Sequence, residues 1–597
     1  MQPNRQDFQG VESQAEKRSM SCASSHSMRW VLQVLGLGIV VAVIYGARIS
    51  TVPIRGEESR WARVAQEMID SGDWITPRQQ GKVFPNRPPL NSWCIAATSL
   101  VVGDTSPFAV RLPTLLATVL TALLVALYTR NFLGSGASLT AGLIYATFPQ
   151  ILQLGRFAES DALLTLFITG SLFVWHYGFL RGWSPWLLWS AGYSLAALAA
   201  LTKGPQGPVY FVGVTCLYLG LRSDWRRLFS WGHVVGLALM LLLVGAWQIP
   251  YALNVGAEAS LKTWCEEGAL AQRIAEAGSG RFFSHLLAFP LEIFAVMLPW
   301  ALFVPELATR NFWRERENGR DWVIFLLVIV LVVLAPCWII PSAGVRYVMA
   351  LFPVAACLSA LAVDSSLKSA KNTSSLRRWS WFHGVFAVGM TGLGVAAITL
   401  ACTVSRATTT NVPEGLQAWF QSAPLPSSSI LAAFGCVSLA TAIASFFLAR
   451  KGSLHRPLWA VLPAALLLCA GYDGPILDYL IISNPNAPLA IARIKAEIPA
   501  GESLASFGPV IHLFTYAYRD PVELREWPSP AMAAKDIPDY FCFMQTSAEK
   551  SLAIPVPWEK VGEVVCDRYR RENPREVVVV GRRIFLPQLA NAPNERK

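Results

Sequence analysis

From Trp30 to about Tyr472 the chain alternates long, charge-poor apolar runs with short polar connections. An α-helix needs roughly 20 apolar residues to cross a bilayer, and most of the runs approach that length. The first covers residues 30–47, and others follow at about 108–130, 136–154, 162–180, 186–202, 205–221, 231–250, 286–305, 322–340, 345–363, 381–403, 428–448 and 457–473. The pattern predicts a polytopic α-helical membrane protein with about 13 transmembrane helices over residues 29–474. The stretch Asn91–Val102 is apolar but too short for an ordinary span, and suits an interfacial or re-entrant segment.

The ends have a different character. Residues 1–28 are polar and aperiodic, as expected of a disordered cytoplasmic tail. From about Pro475 a helical stretch, Ala487–Ile498, is followed by strand-like runs such as Ser503–Phe507 and Glu576–Val580, separated by Pro and Gly. Residues 475–597 therefore read as a small soluble α/β domain. Two long loops stand out, at about 49–107 and 251–285. In the first, Trp61, Val64, Ala65, Met68 and Ile69 recur at helical spacing, with Arg60, Arg63, Gln66, Glu67 and Asp70 opposite them. That is the pattern of an amphipathic helix for the membrane surface, in which Arg60 and Arg63 meet lipid headgroups. It stops at Ser71-Gly72-Asp73.

Composition agrees with a membrane protein: of 597 residues, 53% are hydrophobic and 15% charged, and the mean hydropathy is +0.40. The net charge of +11 is explained by topology rather than by nucleic acid. With Asn91–Val102 not crossing, Arg130, Arg181, Arg222/Arg226/Arg227, Arg310/Arg314/Arg316/Arg320, Lys368/Lys371/Arg377/Arg378 and Arg450/Lys451/Arg456 share one side. Positive residues accumulate on the cytoplasmic side, so the N-terminus is expected inside and the C-terminal domain outside a cytoplasmic (inner) membrane. The eleven Cys are scattered, and only Cys542 and Cys566, in the polar C-terminal part, are placed to form a disulfide in an oxidising compartment. The seven His are dispersed and no compact Asp-x-Asp occurs, so neither metal nor other cofactor is expected.

The informative charges lie on the outer face, where topology does not ask for them: Glu57, Glu58, Arg87, Arg156, Glu159, Asp161, Lys203 and Arg346. Ionisable groups so close to hydrocarbon are costly and point to function. Plainer uses exist for each. Glu57 and Glu58 could favour a helix dipole, Ser160 and Asp161 could cap a span, and Lys203 and Arg346 could snorkel to the headgroups. Carboxylates on that face can take a proton from an acceptor hydroxyl, and Lys or Arg can neutralise a departing phosphate.

An ordered set of motifs then resembles a known family. Arg55-Gly56-Glu57-Glu58-Ser59-Arg60, Met68-Ile69-Asp70-Ser71-Gly72-Asp73-Trp74 and Asn86-Arg87-Pro88-Pro89-Leu90 are similar to the first outer loop of the bacterial aminoarabinose-transferase and protein O-mannosyltransferase-like glycosyltransferases of the C-type fold. Arg111-Leu112-Pro113, Asp161-Ala162-Leu163-Leu164, Leu201-Thr202-Lys203-Gly204-Pro205, Leu298-Pro299-Trp300 and Arg346-Tyr347 follow in the family's order, over about residues 30–365. The resemblance implies a polyprenyl-phosphate sugar donor and an inverting transfer to a lipid, glycan or protein acceptor. It implies Glu57, with Asp161 and the neighbouring Glu58, as catalytic acids, and Arg87, Lys203, Arg273, Arg346 and Tyr347 as donor-binding residues. The family's first acid is usually Asp, here Glu57, and its basic residue before Pro-Pro is usually Lys, here Arg87. Neither change removes the charge. The competing class is a transporter or flippase for a lipid-linked sugar, which internal inverted repeats would favour; none is evident. A third possibility, a non-catalytic assembly partner, would tolerate loss of Glu57 and Asp161.

Overall fold

A computed structural model describes residues 28–584, except 86, 266–269, 310–311, 314–318, 342, 369–372, 408–424, 452–456, 484–486, 531, 533–535, 549–552 and 567–575. The expected cytoplasmic tail lies almost wholly outside the described residues. Helix α1 covers Met28–Gly46 and α2 Glu57–Ser71; a two-stranded hairpin, β1 (Arg78–Gln79) and β2 (Lys82–Val83), leads to α3 (Leu90–Val102). The bundle continues through α4 (Pro107–Thr129), α5 (Ser135–Thr147), α6 (Pro149–Leu154), α7 (Ser160–Leu180), α8 (Pro185–Lys203), α9 (Gln206–Leu221), α10 (Trp225–Leu228) and α11 (Trp231–Val255). Then come α12 (Ala257–Cys265), α13 (Leu270–Val296), α14 (Arg320–Ile339), α15 (Phe352–Lys368), α16 (Thr373–Ala407), α17 (Ser428–Lys451) and α18 (Pro457–Gly471).

Nine described helices are long and apolar enough to cross a membrane, or ten if the bent pair Gly280–Val296 and Trp300–Ala308 is one span. The apolar runs predict thirteen, and the difference lies in how individual runs fold. The run at 136–154 is broken before Pro149, where Phe148 is extended, so α5 keeps only 13 residues. The run at 286–305 bends by 113°. Helix α9 has 16 residues, and α8, with 19, is not among the nine.

Near the first loop, α2 is sandwiched rather than laid on a membrane. Its apolar side, Trp61, Ala62 and Ala65, packs with Ile95 and Ala96 of α3 and with Val110. Its other side is covered too: Glu58, Ser59, Arg63, Gln66 and Glu67 are buried. Arg63 bonds to Glu67 at 2.9 Å and reaches the Arg519 carbonyl at 3.4 Å, so it is not a headgroup contact. Arg60 pairs with Glu57 at 2.7 Å.

After α18 a π-turn (Tyr472–Ile476), α19 (Leu477–Ser483) and α20 (Ala487–Glu497) lead into a five-stranded mixed sheet. Its strands are β3 (Leu504–Phe507), β4 (Val522–Arg525), β5 (Tyr540–Met544), β6 (Trp558–Val565) and β7 (Val577–Arg583), in the order β4-β3-β5-β7-β6. Helix α21 (His512–Tyr518) lies between β3 and β4, and α22 (Gln545–Ala548) follows β5. Strand β3 runs parallel to β4 and β5, and the remaining pairs are antiparallel. One face packs on Ile491 and Ile494 of α20 and Phe514 of α21; the other buries Phe541, Phe543 and Phe507. Cys542 and Cys566, the pair placed to form a disulfide, are not bonded to each other. Cys542 is on β5, Cys566 follows β6, and β7 lies between them. Two strand spacings of about 4.8 Å exceed the Cα separation of about 4.4–6.8 Å that a disulfide bridges.

Candidate active site

Helix α2 begins at Gly56, whose φ of 52° and ψ of −137° would strain any L side chain. Two acids follow in its first turn, where unpaired backbone N–H groups favour negative charge. Their surroundings differ. Glu58 is 1% exposed and its carboxylate accepts Arg111 Nε at 2.7 Å, Arg111 Nη2 at 2.8 Å and the Ala158 backbone N–H at 2.9 Å. Arg111 Nη1 also donates to the carbonyls of Ile49 and Val52, each at 2.7 Å. Glu58 is thus the centre of a clamp joining the end of the first span, α2, α4 and the segment before α7. Glu57 pairs with Arg60 at 2.7 Å, and its side chain stays 18% exposed against 2% for that of Glu58.

The segment held by this clamp carries the second acidic group. Glu159 occupies the N-cap position of α7 and no side chain caps the helix, so Asp161 is not used as a cap. Its buried carboxylate accepts Lys203 Nζ at 2.6 Å on Oδ1 and Arg346 Nη2 at 2.8 Å on Oδ2; the same Nη2 lies 2.5 Å from Glu159 Oε2. Lys203 does not snorkel. It ends α8, is 3% exposed, and the chain turns away at Gly204, with φ 105° and ψ −158°. Its Nζ sits 5.0 Å from the centre of the Tyr347 ring, a cation–π contact. Arg346 and Tyr347 lie on a 3₁₀ turn, Val345–Leu351, that leads into α15. The Arg346 side chain is 34% exposed, and its Nε, itself buried, finds no hydrogen-bond partner among the described residues.

Glu159 sits just outside the α7 span. Burial pushes its carboxyl up to about 7; Arg346 opposes this, and the negative charges of Asp161 and Glu58 add to it.

Of the residues singled out from sequence, Asp161, Lys203, Arg346 and Tyr347 thus form one connected set, Asp161 bonding Lys203 and Arg346 and Lys203 lying over Tyr347. Glu57 and Glu58 lie at the start of α2, and the 2.9 Å bond from Ala158 to Glu58 places Glu57 and Glu159 each one residue from its ends. Arg87 is half-buried in the segment between the hairpin and α3. Arg273 lies in α13, its side chain outside the described residues. Arg156 goes elsewhere: it is 2.7 Å from Asp473 Oδ1 and stacks over Tyr45 and Tyr472. Sequence reasoning missed the clamp and the partnership of Glu159 with Arg346. A lone Arg111 opening an apolar span was the available signal for the first. Among the described residues no group of three or more His, Cys, Asp or Glu is placed to hold a metal ion.

With the geometry in place, comparison with known proteins adds three findings. The family model described as dolichyl-phosphate-mannose-protein mannosyltransferase matches residues 86–249. An undecaprenyl phosphate-alpha-4-amino-4-deoxy-L-arabinose arabinosyl transferase of Pseudomonas aeruginosa is 31% identical over 290 residues, 47% of this chain and 50% of that protein. An uncharacterized protein of Aquifex aeolicus is 30% identical over 332 residues, 54% of this chain and 62% of that protein. The matches therefore span about half to three-fifths of these relatives' lengths. The crystal structure of ArnT from Cupriavidus metallidurans bound to undecaprenyl phosphate superposes with a TM-score of 0.64 over 92% of this chain and 98% of that one, at 18% identity.

Proposed function

We propose that this membrane protein, which has the C-type glycosyltransferase fold, moves a sugar from a polyprenyl phosphate of the undecaprenyl type to a lipid, glycan or protein acceptor. The observation that carries the reading is the charged group Asp161–Lys203–Arg346–Glu159, tied through the Ala158–Glu58 bond to the start of α2, where Glu57 keeps a partly exposed carboxylate. In the mechanism, Glu57 orients an acceptor hydroxyl and takes its proton. The acceptor oxygen attacks the anomeric carbon, the bond from that carbon to the phosphate oxygen breaks, and the phosphate leaves with the electron pair. One displacement inverts the anomeric carbon. Arg346 meets the developing charge, since its Nε is a donor in hand. The family resemblance assigns Arg87 and Arg273 to the same phosphate. Asp161 holds Lys203 and Arg346 at the spacing that receives the phosphate, and Tyr347 shields Lys203. Glu58, saturated by Arg111, serves as anchor rather than base.

The charge distribution supports a site on the outer face of the cytoplasmic membrane, with residues 475–597 on the same side. The test is sugar release from radiolabelled undecaprenyl-phosphate aminoarabinose and undecaprenyl-phosphate hexoses by purified protein in lipid, with cell-envelope fractions as acceptors. Wild type is expected to cleave one donor, and Glu57→Gln and Lys203→Ala to lose at least about 100-fold in rate. A wild-type protein that leaves every donor intact but moves one between leaflets would be a flippase.

A further inference from the structure

We propose that the C-terminal sheet domain is a working part of the transfer site: His512 is a positioning residue for Glu57, and Gln80 couples the same domain to the hairpin that leads to Arg87. The inference rests on reading Glu57 as the base.

His512, at the start of α21, is 3% exposed, and its Nε2 lies 3.1 Å from the carbonyl oxygen of Gly56. A carbonyl can only accept, so Nε2 carries the hydrogen. Gly56 immediately precedes Glu57, and its positive φ is one that glycine adopts without strain but does not by itself fix, so contacts to its peptide set where α2 starts. Within α2 the same carbonyl accepts the Ser59 hydroxyl at 2.8 Å. The imidazole is thus an external restraint on the peptide that aims Glu57.

A second set of bonds closes the loop. Glu67, near the other end of α2, accepts the backbone N–H groups of Gln80 at 2.7 Å and Gly81 at 3.1 Å, in the turn between β1 and β2. The Gln80 side chain donates to Ser506 Oγ at 3.0 Å, and its carbonyl accepts the Val510 N–H at 3.1 Å. Strand β3, residue 510 and α21 then return the chain to Gly56 through His512. Tyr516, one turn further along α21, donates to the Thr105 carbonyl at 2.8 Å. A domain that merely adhered to the bundle could do so anywhere; this one grips both ends of the segment that carries Glu57 and leads to Arg87.

The test uses the full-length protein in lipid with the donor found active above. His512→Leu is expected to lower kcat by about 10- to 100-fold, as a small misplacement of a reacting group does. Affinity for undecaprenyl phosphate should stay within about 2-fold, and His512→Gln, which keeps an N–H donor, should recover most of the rate. In a Glu57→Gln background the same His512→Leu change should cost no more than about 2-fold, because its effect passes through Glu57. Equal losses in both backgrounds, or an unchanged kcat in the single variant, overturn the proposal. Should Glu57→Gln itself retain full rate, the base assignment falls, and amide exchange decides the rest. Faster exchange at residues 57–60 in His512→Leu keeps the positioning role, and unchanged exchange removes it. If His512→Leu does not fold, Gln80→Leu replaces it, with the same exchange measurement expected to show faster exchange at residues 80–83 and no change refuting the coupling.

Discussion

Glu57 and Glu58 are adjacent and chemically identical, yet one is a buried anchor and the other an accessible carboxylate. The helical periodicity already puts neighbours on different faces, but nothing local says that Arg111, 53 residues away, will take up both oxygens of Glu58. Removing one partner of a buried ion pair leaves an uncompensated charge, so Glu58→Gln and Arg111→Met should each destabilise by about 3–5 kcal/mol, read from denaturation midpoints. Glu57→Gln should change stability by less than about 0.5 kcal/mol while lowering the transfer rate at least about 100-fold. Glu159 gives a pH signature. Its carboxyl holds a proton more tightly folded than unfolded, so its contribution is complete below about 4.5 and is lost as pH rises through about 7. The thermal midpoint of the wild type relative to Glu159→Gln should therefore fall between those pH values and stay level above. A difference that is constant across this window would refute the assignment.

The α8–α9 hairpin shows how an element places a charge. Helix α8 ends on Lys203, and Gly204 takes a conformation almost restricted to glycine, so Lys203 points back into the bundle instead of out to headgroups. Gly204→Ala should cost about 1–3 kcal/mol and weaken binding of undecaprenyl phosphate, measured by displacement of a labelled lipid. The Thr202-Lys203-Gly204-Pro205 motif was legible in the sequence, and so was the helix over Ala487–Ile498. Span boundaries were less so. Composition registers how apolar a run is but not where a proline such as Pro149 divides it, because a Pro inside a helix is tolerated at some positions, as Pro113 is in α4.

In the whole molecule, the placement of α2 is the main departure from expectation. Its pattern is that of a helix lying in a membrane surface, and an amphipathic stripe does not say what covers the polar side. Here the hairpin and the C-terminal domain cover it together: Glu67 holds the Gln80 backbone, Gln80 bonds Ser506, and Arg63 reaches the Arg519 carbonyl. Amides of residues 58–68 should consequently exchange slowly, and equally so in detergent and in nanodiscs. Exchange that accelerates when lipid is removed would return α2 to the membrane surface.

What could be read from the chain alone follows from local rules: apolar run length predicts a membrane bundle, charge bias predicts its orientation, and the change in character near Pro475 predicts an appended sheet. Asp161, Lys203 and Arg346 stood out because an ionisable group near hydrocarbon has little reason to be there without a partner, and Tyr347 only through the family resemblance. Which partner each takes was left to the fold. Ion pairs between residues 42 and 185 positions apart, the clamp on Glu58, and the reach of His512 across 456 residues to Gly56 depend on helices and domain packing at one set of distances. No periodicity or spacing in a sequence encodes those distances, since they arise only when the bundle and the sheet are assembled together.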